Sequence, residues 1–279
     1  MNAPLLVLAA GQRCGSTLVQ RLLSSHPEVL IWGEHAGQLR EVLAAGAGLN
    51  VWMGKHAEHA WLGYARSGHQ SFMANLMPEA GAIDEAMRAF VESLFARPAA
   101  ALGRQVWGFK EVRYGLAEAV AFQKLFPDCR VVHVMRDPRD ILRSLEVWER
   151  GSWPRSDTEL AIQDWARVGA SFWCEPADLP PWVLRVRYED LIVDPSYWRS
   201  RIAEHCGLEV DLLDQSVFGR RIHATGLGGR ARRTILDWAD LPASLRALLD
   251  DEQIRLVANA CGYHLDTAKG GEFTDAGSR

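Results

Sequence analysis

Leu5, Leu6, Val7, Leu8 and Ala9 form an unbroken apolar run of strand length that closes at Gly11. A run that is apolar at every position predicts a strand covered on both faces, as in a parallel sheet. The period then changes. Leu18, Leu22 and Leu23 recur at helical spacing, so residues 11–17 make the turn between a strand and a helix. Val29 to Trp32 predicts a second short strand, which delivers Gly33 and Glu34 to its carboxyl end, the edge at which open α/β sheets bind ligands. His35 to Ala44 carries a helical pattern. Ala45 to Glu79 is rich in Gly, Trp, Met and His and has no clean period. It reads either as an irregular lid over a pocket or as a loosely packed helical insertion with Trp52, Met53 and Trp61 in a satellite core.

Farther on, Ile83 to Phe95 has apolar positions at helical spacing and Pro98 is expected to close that helix. Val106 to Phe109 predicts a strand that presents Lys110, Glu111 and Arg113. Leu116 to Phe126 predicts a helix, Arg130 to Met135 a buried strand, and Asp137-Pro138 an N-cap and first turn of a helix reaching about Glu149. Thr158 to Trp173 is helical, Val183 to Val186 a strand, Ser196 to Cys206 a helix and Ala243 to Ala258 the last helix. Alternating strands and helices predict the α/β class, a central parallel sheet flanked by crossover helices. No internal repeat divides the chain. Residues 1–279 read as a single domain with residues 45–80 as an insertion and residues 266–279 as a frayed polar tail.

Composition narrows the function. A chain of 279 residues with 48% hydrophobic content can bury a large core. A formal charge of -4 argues against a general nucleic-acid binder, so a cationic site must be local. Cys14, Cys129, Cys174, Cys206 and Cys261 have no paired spacing, which fits thiols in a reducing compartment better than a disulfide framework or a zinc site. The apolar amino terminus lacks a basic leader and is short, and no later stretch is long enough to span a bilayer. The expected compartment is the cytoplasm.

Gln12-Arg13-Cys14-Gly15-Ser16-Thr17 has the makings of an anion site. Gly15 lets the backbone curve closely around a ligand, Ser16 and Thr17 bring hydroxyls to the unpaired N–H groups of a helix start, and Arg13 adds a fixed charge. A Walker A loop it is not: Gly11 to Gly15 is one residue short and Ser16 stands in place of the lysine. A capped strand-to-helix turn with no ligand explains the same residues equally well. A second basic stretch, Arg136-Asp137-Pro138-Arg139-Asp140 with Ser144, puts an arginine at a strand end and a hydroxyl two helical turns farther on, so both reach one phosphate at the helix start. Its bland counterpart is a capped helix whose arginine makes a structural ion pair, with Arg139 and Arg143 solvated or paired with Asp140 and Glu146.

Taken together, Arg-x-Gly-Ser-Thr-Leu at residues 13–18, His26-Pro27-Glu28, Trp32-Gly33-Glu34, Lys110-Glu111, Arg136 with Ser144, and Arg187-Tyr188-Glu189-Asp190-Leu191 resemble the PAPS-dependent sulfotransferases, closest to the bacterial and protein-tyrosine branches. The likeness runs from about Leu5 to Gly207. It implies a P-loop-NTPase-like fold and sulfuryl transfer from PAPS, leaving PAP, with no metal required. Arg13, Cys14, Gly15, Ser16, Thr17 and Leu18 would hold the 5′-phosphosulfate, Arg136 and Ser144 the 3′-phosphate, and Tyr188 the nucleotide. Arg230, in a Gly- and Arg-rich stretch from Phe218 to Arg233, would close on the 3′-phosphate.

By the same resemblance Glu34 is the general base, while Arg13 and Lys110 stabilise the transition state. The steroid and phenol branch uses a histidine base, and Lys110-Glu111-Val112 offers none. A structural reading pairs Glu34 with Arg40 and Lys110 with Glu111 or Asp128. His56 and His59 have helical spacing but no third ligand, so they read as insertion histidines rather than a metal site. The acceptor is a small molecule or peptide of undefined class, and the oligomeric state is open. Two other functions share the strand, loop and helix plan: a nucleotide-dependent small-molecule kinase and a catalytically silent nucleotide-binding protein.

Overall fold

The computed structural model describes residues 3–78, 80–149, 155–174, 179–219 and 241–265. Five parallel strands form its centre: β1 (Leu5–Ala9), β2 (Val29–Trp32), β3 (Val106–Glu111), β4 (Arg130–Met135) and β5 (Val183–Arg187), in the order β2-β3-β1-β4-β5. The chain leaves β1 to one side for β2 and β3 and returns to the other for β4 and β5. That reversal makes the carboxyl edge beside β1 the crevice where such sheets bind ligands. All five residues of β1 are buried, as an apolar run between two parallel neighbours requires.

The helices α1 (Ser16–Ser24), α2 (Leu39–Ser67), α3 (Ala80–Val91), α4 (Arg97–Ala101), α5 (Leu116–Leu125), α6 (Pro138–Glu149), α7 (Arg155–Trp173), α8 (Tyr188–Val193), α9 (Pro195–Cys206), α10 (Ala243–Arg246) and α11 (Glu252–Ala260) complete the described chain. Trp107, Phe109, Tyr114, Phe122, Trp165 and Phe172 fill the core between the sheet and these helices.

Three sequence expectations are corrected. Residues 45–67 are not irregular: they continue α2, which is 29 residues long. Its buried stripe is narrow, with Leu39, Gly46, Met53 and Ala60 recurring every seven residues, while Trp52 and Trp61 point outward. A glycine in that stripe hides the period. Gly46 lies where an added Cβ would come within 2.9 Å of Met87 Cγ, so its small size lets α2 pack close against α3. Pro98 does not close the preceding helix. The turn from Glu92 to Ala96 widens to π geometry, and the chain continues as α4 with the proline at its start, where a missing N–H costs nothing. Ala243 to Ala258 is divided, because Asp251 accepts from the N–H groups of Gln253 and Ile254 and begins a new helix.

Candidate active site

The loop after β1 is held at both sides of the sheet. Ala10 N–H donates to the Val134 oxygen at 3.1 Å and Gly11 N–H to the Val112 oxygen at 3.1 Å. Positive φ then recurs at every second residue: 77° at Gly11, 65° at Arg13 and 93° at Gly15. Such alternation turns backbone N–H groups toward one concave side. α1 starts on Gly15 with no side-chain cap and no acidic residue in its first turn, which leaves its positive end to an anion.

Within that loop the residues divide by role. Ser16 is buried at the helix start and Thr17 half-buried beside it. Cys14 and Leu18 turn away from the crevice. Cys14 Sγ donates to the Ala10 oxygen at 2.8 Å, and burial pushes its thiol pKa up. Leu18 is fully buried and its N–H is held by the Gly15 oxygen at 2.9 Å.

Arg136, just beyond β4, reaches back over the loop. Its Nη1 donates to the Arg13 oxygen at 3.0 Å, Nη2 lies 3.6 Å from Asp140 Oδ2, and its guanidinium carbon sits 4.5 Å from the centre of the Tyr188 ring. Arg136 Nε is buried with no hydrogen-bond partner among the described residues. Arg13 Nε donates to Ser144 Oγ at 2.8 Å. Desolvation, with the Arg136 charge beside it, lowers the Arg13 pKa. Arg13, Arg136, Ser144 and Tyr188 therefore share one patch. A Cβ added to Gly15 would lie 2.3 Å from Tyr188 Cδ2, so the bare backbone of the loop rests directly on that ring.

The basic stretch holds one further surprise. Arg139 is buried rather than solvated, and it pairs with Asp137, not Asp140: Nε and Nη2 reach Asp137 Oδ1 and Oδ2 at 2.9 and 2.7 Å. Asp137 also caps α6, accepting from the Arg139 N–H at 2.9 Å, as its position before Pro138 predicts.

Glu34 follows β2 and stands beside the end of β3. Its carboxylate is held by Lys110 Nζ on one oxygen and by Arg113 Nη1 at 3.2 Å on the other. Arg40 pairs with Glu118 instead, and Lys110 with Glu34 rather than Glu111 or Asp128. Because β3 runs on through Glu111, Lys110 and Glu111 belong to the strand and both are buried.

Sequence reasoning gave Arg113 no role and took Glu111 only as a motif member or a partner for Lys110, yet the two together hold Glu34. Arg113 Nη1 bridges Glu34 and Glu111, reaching Glu111 Oε1 at 2.8 Å. Burial pushes the Glu111 carboxyl up, but donation from the N–H groups of Val112 and Gly37 and from Arg113 outweighs it and holds the pKa below the usual range. The same two carboxylates raise the Arg113 pKa against its own desolvation. A glutamate and an arginine two residues apart at a strand end was the available signal. Beside them, burial lowers the His35 pKa despite Glu111 3.5 Å away, and the His35 ring packs edge-on to Phe109.

Register places these groups in one row. Trp32 pairs with Phe109, Leu8 with Glu111, Ala9 with Val134 and Met135 with Arg187, so Glu34, Lys110, the loop, Arg136 and Tyr188 all stand at the same carboxyl edge. Three strand spacings, about 14 Å, separate the β2 end from the β4 end. A cavity of about 180 Å³ opens at this edge between Gly11, Gln12, Arg113, Leu160 and Asp164. A larger one of about 690 Å³ lies at the opposite edge, among Leu5, Val106 and Arg130. Arg201 at its rim is paired with Glu204 at 2.7 Å. Arg230 lies outside the described residues, as do most of the stretch from Phe218 to Arg233 and the tail from 266. So does the His56 side chain.

A model of the sulfotransferase family matches residues 4–212, three quarters of the chain and every element that builds this edge. The chain belongs to the sulfotransferase family. Solved structures agree on the fold of this sulfotransferase. It resembles the sulfotransferase domain from the Synechococcus PCC 7002 olefin synthase at 18% identity and a TM-score of 0.55, covering 95% of this chain and 97% of that one. It also resembles the sulfotransferase domain from the curacin biosynthetic pathway at 14% identity and a TM-score of 0.52, covering 95% and 99%. No match was found among curated protein sequences. The parallel sheet with flanking helices is thus the P-loop-like α/β fold of sulfotransferases, and sulfuryl transfer is the general chemistry of this chain. No helix among the described residues is long and apolar enough to cross a membrane.

Proposed function

We propose that this sulfotransferase takes the sulfuryl group from PAPS and places it on a hydroxyl or amine of a small-molecule or peptide acceptor, releasing PAP. The observation that carries this reading is the Glu34, Lys110 and Arg113 cluster standing on the same strand edge as an anion-binding loop. The donor's anionic groups fit the residues present. The uncapped start of α1 suits a phosphosulfate, and the buried, unpartnered Nε of Arg136 beside Ser144 suits a second phosphate.

Glu34 removes the acceptor proton as its oxygen or nitrogen bonds to sulfur. The bond from sulfur to the bridging oxygen breaks, and that oxygen leaves on PAP with the electron pair. Lys110 and Arg13 stabilise the charge gathering there and on the sulfuryl oxygens, and the α1 amides with Ser16 and Thr17 hold the phosphate. When the donor is bound, Lys110 turns from Glu34 to the leaving oxygen while Arg113 keeps the base in place. Side-chain cations and N–H groups serve without a metal, because a sulfuryl group carries less charge than a phosphoryl group. Arg230 is assigned to the 3′-phosphate on the motif alone.

The acceptor enters on the Glu34 side. The long helix α2 follows directly on the segment that carries Glu34, which supports a part for residues 45–67 in shaping that pocket. Cys14, Cys129 and Cys261 are buried thiols, which supports a reducing, cytoplasmic setting. A kinase reading finds Ser16 where its loop needs lysine. Transfer of labelled sulfate from PAPS to a panel of phenols, alcohols, amines and peptides tests the proposal. Product that forms with wild type and not with Glu34→Gln supports it. Nucleotide binding without transfer to any acceptor leaves the silent-binder reading in its place.

A further inference from the structure

The middle of the Arg187 to Leu191 motif has no part in the mechanism above, yet it holds a buried acid whose two oxygens accept from distant segments. Glu189 is 3% exposed and stands at the second position of α8. Its Oε1 accepts from the Asp137 N–H at 3.0 Å and its Oε2 from the Tyr263 hydroxyl at 2.7 Å. One carboxylate thereby joins three segments far apart in sequence: the turn after β4, the start of α8 and the stretch after α11.

A second link runs parallel to it. Arg139 grips Asp137 with two nitrogens and donates from Nη1 to the His264 oxygen at 2.9 Å. The Tyr263 ring lies under the Arg187 guanidinium, 5.0 Å from its centre. Residues 263–264 thus close over the turn that carries Arg136.

That turn sets where Arg136 points. Asp137 follows it directly, so fixing the Asp137 N–H fixes the peptide plane on which Arg136 ends. On its other side the Arg136 guanidinium rests on Tyr188, the residue before Glu189. Adjacent residues of one short helix therefore grip Arg136 from both ends, and β4 and β5 run in step there, Met135 opposite Arg187.

We infer that Glu189, braced by Tyr263, is a positioning residue for the donor nucleotide: it aims Arg136 at the 3′-phosphate and lets the segment after α11 govern donor affinity. The inference rests on the reading of Arg136 as a 3′-phosphate ligand. Glu189 itself touches no substrate. Its removal should raise the KM for the donor and leave turnover at saturation intact, because the Glu34 cluster hangs from β2 and β3 on the other side of β1. Glutamine can preserve both links, accepting from Asp137 and donating to the Tyr263 oxygen, which is also an acceptor.

The test is titration of the full chain with PAP, alongside steady-state kinetics with PAPS, for Arg136→Ala, Glu189→Ala, Glu189→Gln and Tyr263→Phe. Arg136→Ala should weaken PAP by about a hundredfold, a lost charge-assisted contact. Glu189→Ala and Tyr263→Phe should weaken it about tenfold, the scale of one lost buried hydrogen bond, with kcat within about twofold of wild type. Glu189→Gln should restore wild-type affinity. If Glu189→Ala fails to fold, Tyr263→Phe and Glu189→Gln decide the matter. Wild-type PAP affinity in Tyr263→Phe and Glu189→Ala with a weakened Arg136→Ala overturns the inference alone, as does a fall in kcat with unchanged KM. Unchanged affinity in Arg136→Ala overturns the reading beneath it.

Discussion

Arg136 donates a hydrogen bond to the main-chain oxygen of Arg13 across 3.0 Å, although 123 positions separate them in sequence. The bond joins the two basic segments that the chain places at the ends of adjacent strands β1 and β4. Arg13 passes the connection on to Ser144, so loop, turn and helix α6 form one cationic surface. The proposed 3′,5′-bisphosphate nucleotide would meet preset donors there, which lowers the entropy lost on binding.

Replacing Glu34 by glutamine keeps the side chain's size and its contact with Lys110 but removes the carboxylate proposed as the proton acceptor. Turnover should fall by about a hundredfold or more, the usual worth of a general base. PAP affinity, measured by calorimetry, should stay within about twofold, since the nucleotide patch lies three strand spacings away. Retained turnover would remove Glu34 from the mechanism.

Arg113 has two tasks, so its loss should show in two ways. Arg113→Ala leaves the fully buried Glu111 without its charged partner and should cost roughly 2 kcal/mol of stability in urea unfolding. In the proposed mechanism Arg113 is also the partner that holds Glu34 while Lys110 serves the leaving oxygen, so kcat should drop about tenfold or more. A variant as stable and as fast as wild type would show that the bridge is incidental.

Gly15→Ala should damage the loop through geometry alone. The position has φ 93°, and its Cβ would collide with the Tyr188 ring at 2.3 Å. Strain of this kind costs on the order of 1–3 kcal/mol. Reduced melting temperature together with weakened PAP binding is the expected result, and wild-type values for both would mean the ring is not packed on the loop.

Burial raises the Glu189 carboxyl from its model-peptide value of 4.5 to about 7, with the Asp137 charge adding to it and the Asp137 N–H and Tyr263 bonds opposing. A folded-state pKa above the unfolded one means that the fold favours the protonated acid. The stabilisation is present below pH 4.5 and is lost as pH rises through about 7, an effect of about 3 kcal/mol. Unfolding free energies of wild type and Glu189→Gln, compared at pH 5 and pH 8.5, should therefore diverge in favour of glutamine at the higher pH. Parallel pH curves would contradict the assignment.

Much of the sheet was legible because its strands are largely apolar: β1 and β2 are unbroken apolar runs, β4 is interrupted only by Arg130 and His133, and all three lie at their predicted residues. The motif residues at strand ends were equally visible, since a parallel sheet sends all of them to one edge. The length of α2 was hidden by a stripe that uses Gly46 and Met53 where a helix more often uses leucine, and by tryptophans on its open side. The bracing of the site was hidden for another reason. Arg113 reaches Glu34 across 79 positions and Tyr263 reaches Glu189 across 74, contacts that local spacing does not encode.

The central claim is that one strand edge holds adenosine 3′,5′-bisphosphate through Arg136 while Glu34 serves the acceptor. Calorimetric titration of the full chain with PAP, and separately with ATP and Mg²⁺, tests it most directly. The account predicts saturable PAP binding at micromolar concentrations that Arg136→Ala weakens about a hundredfold and Glu34→Gln leaves intact, with no comparable heat from ATP. PAP binding that ignores Arg136, or a chain that binds ATP and not PAP, would contradict it.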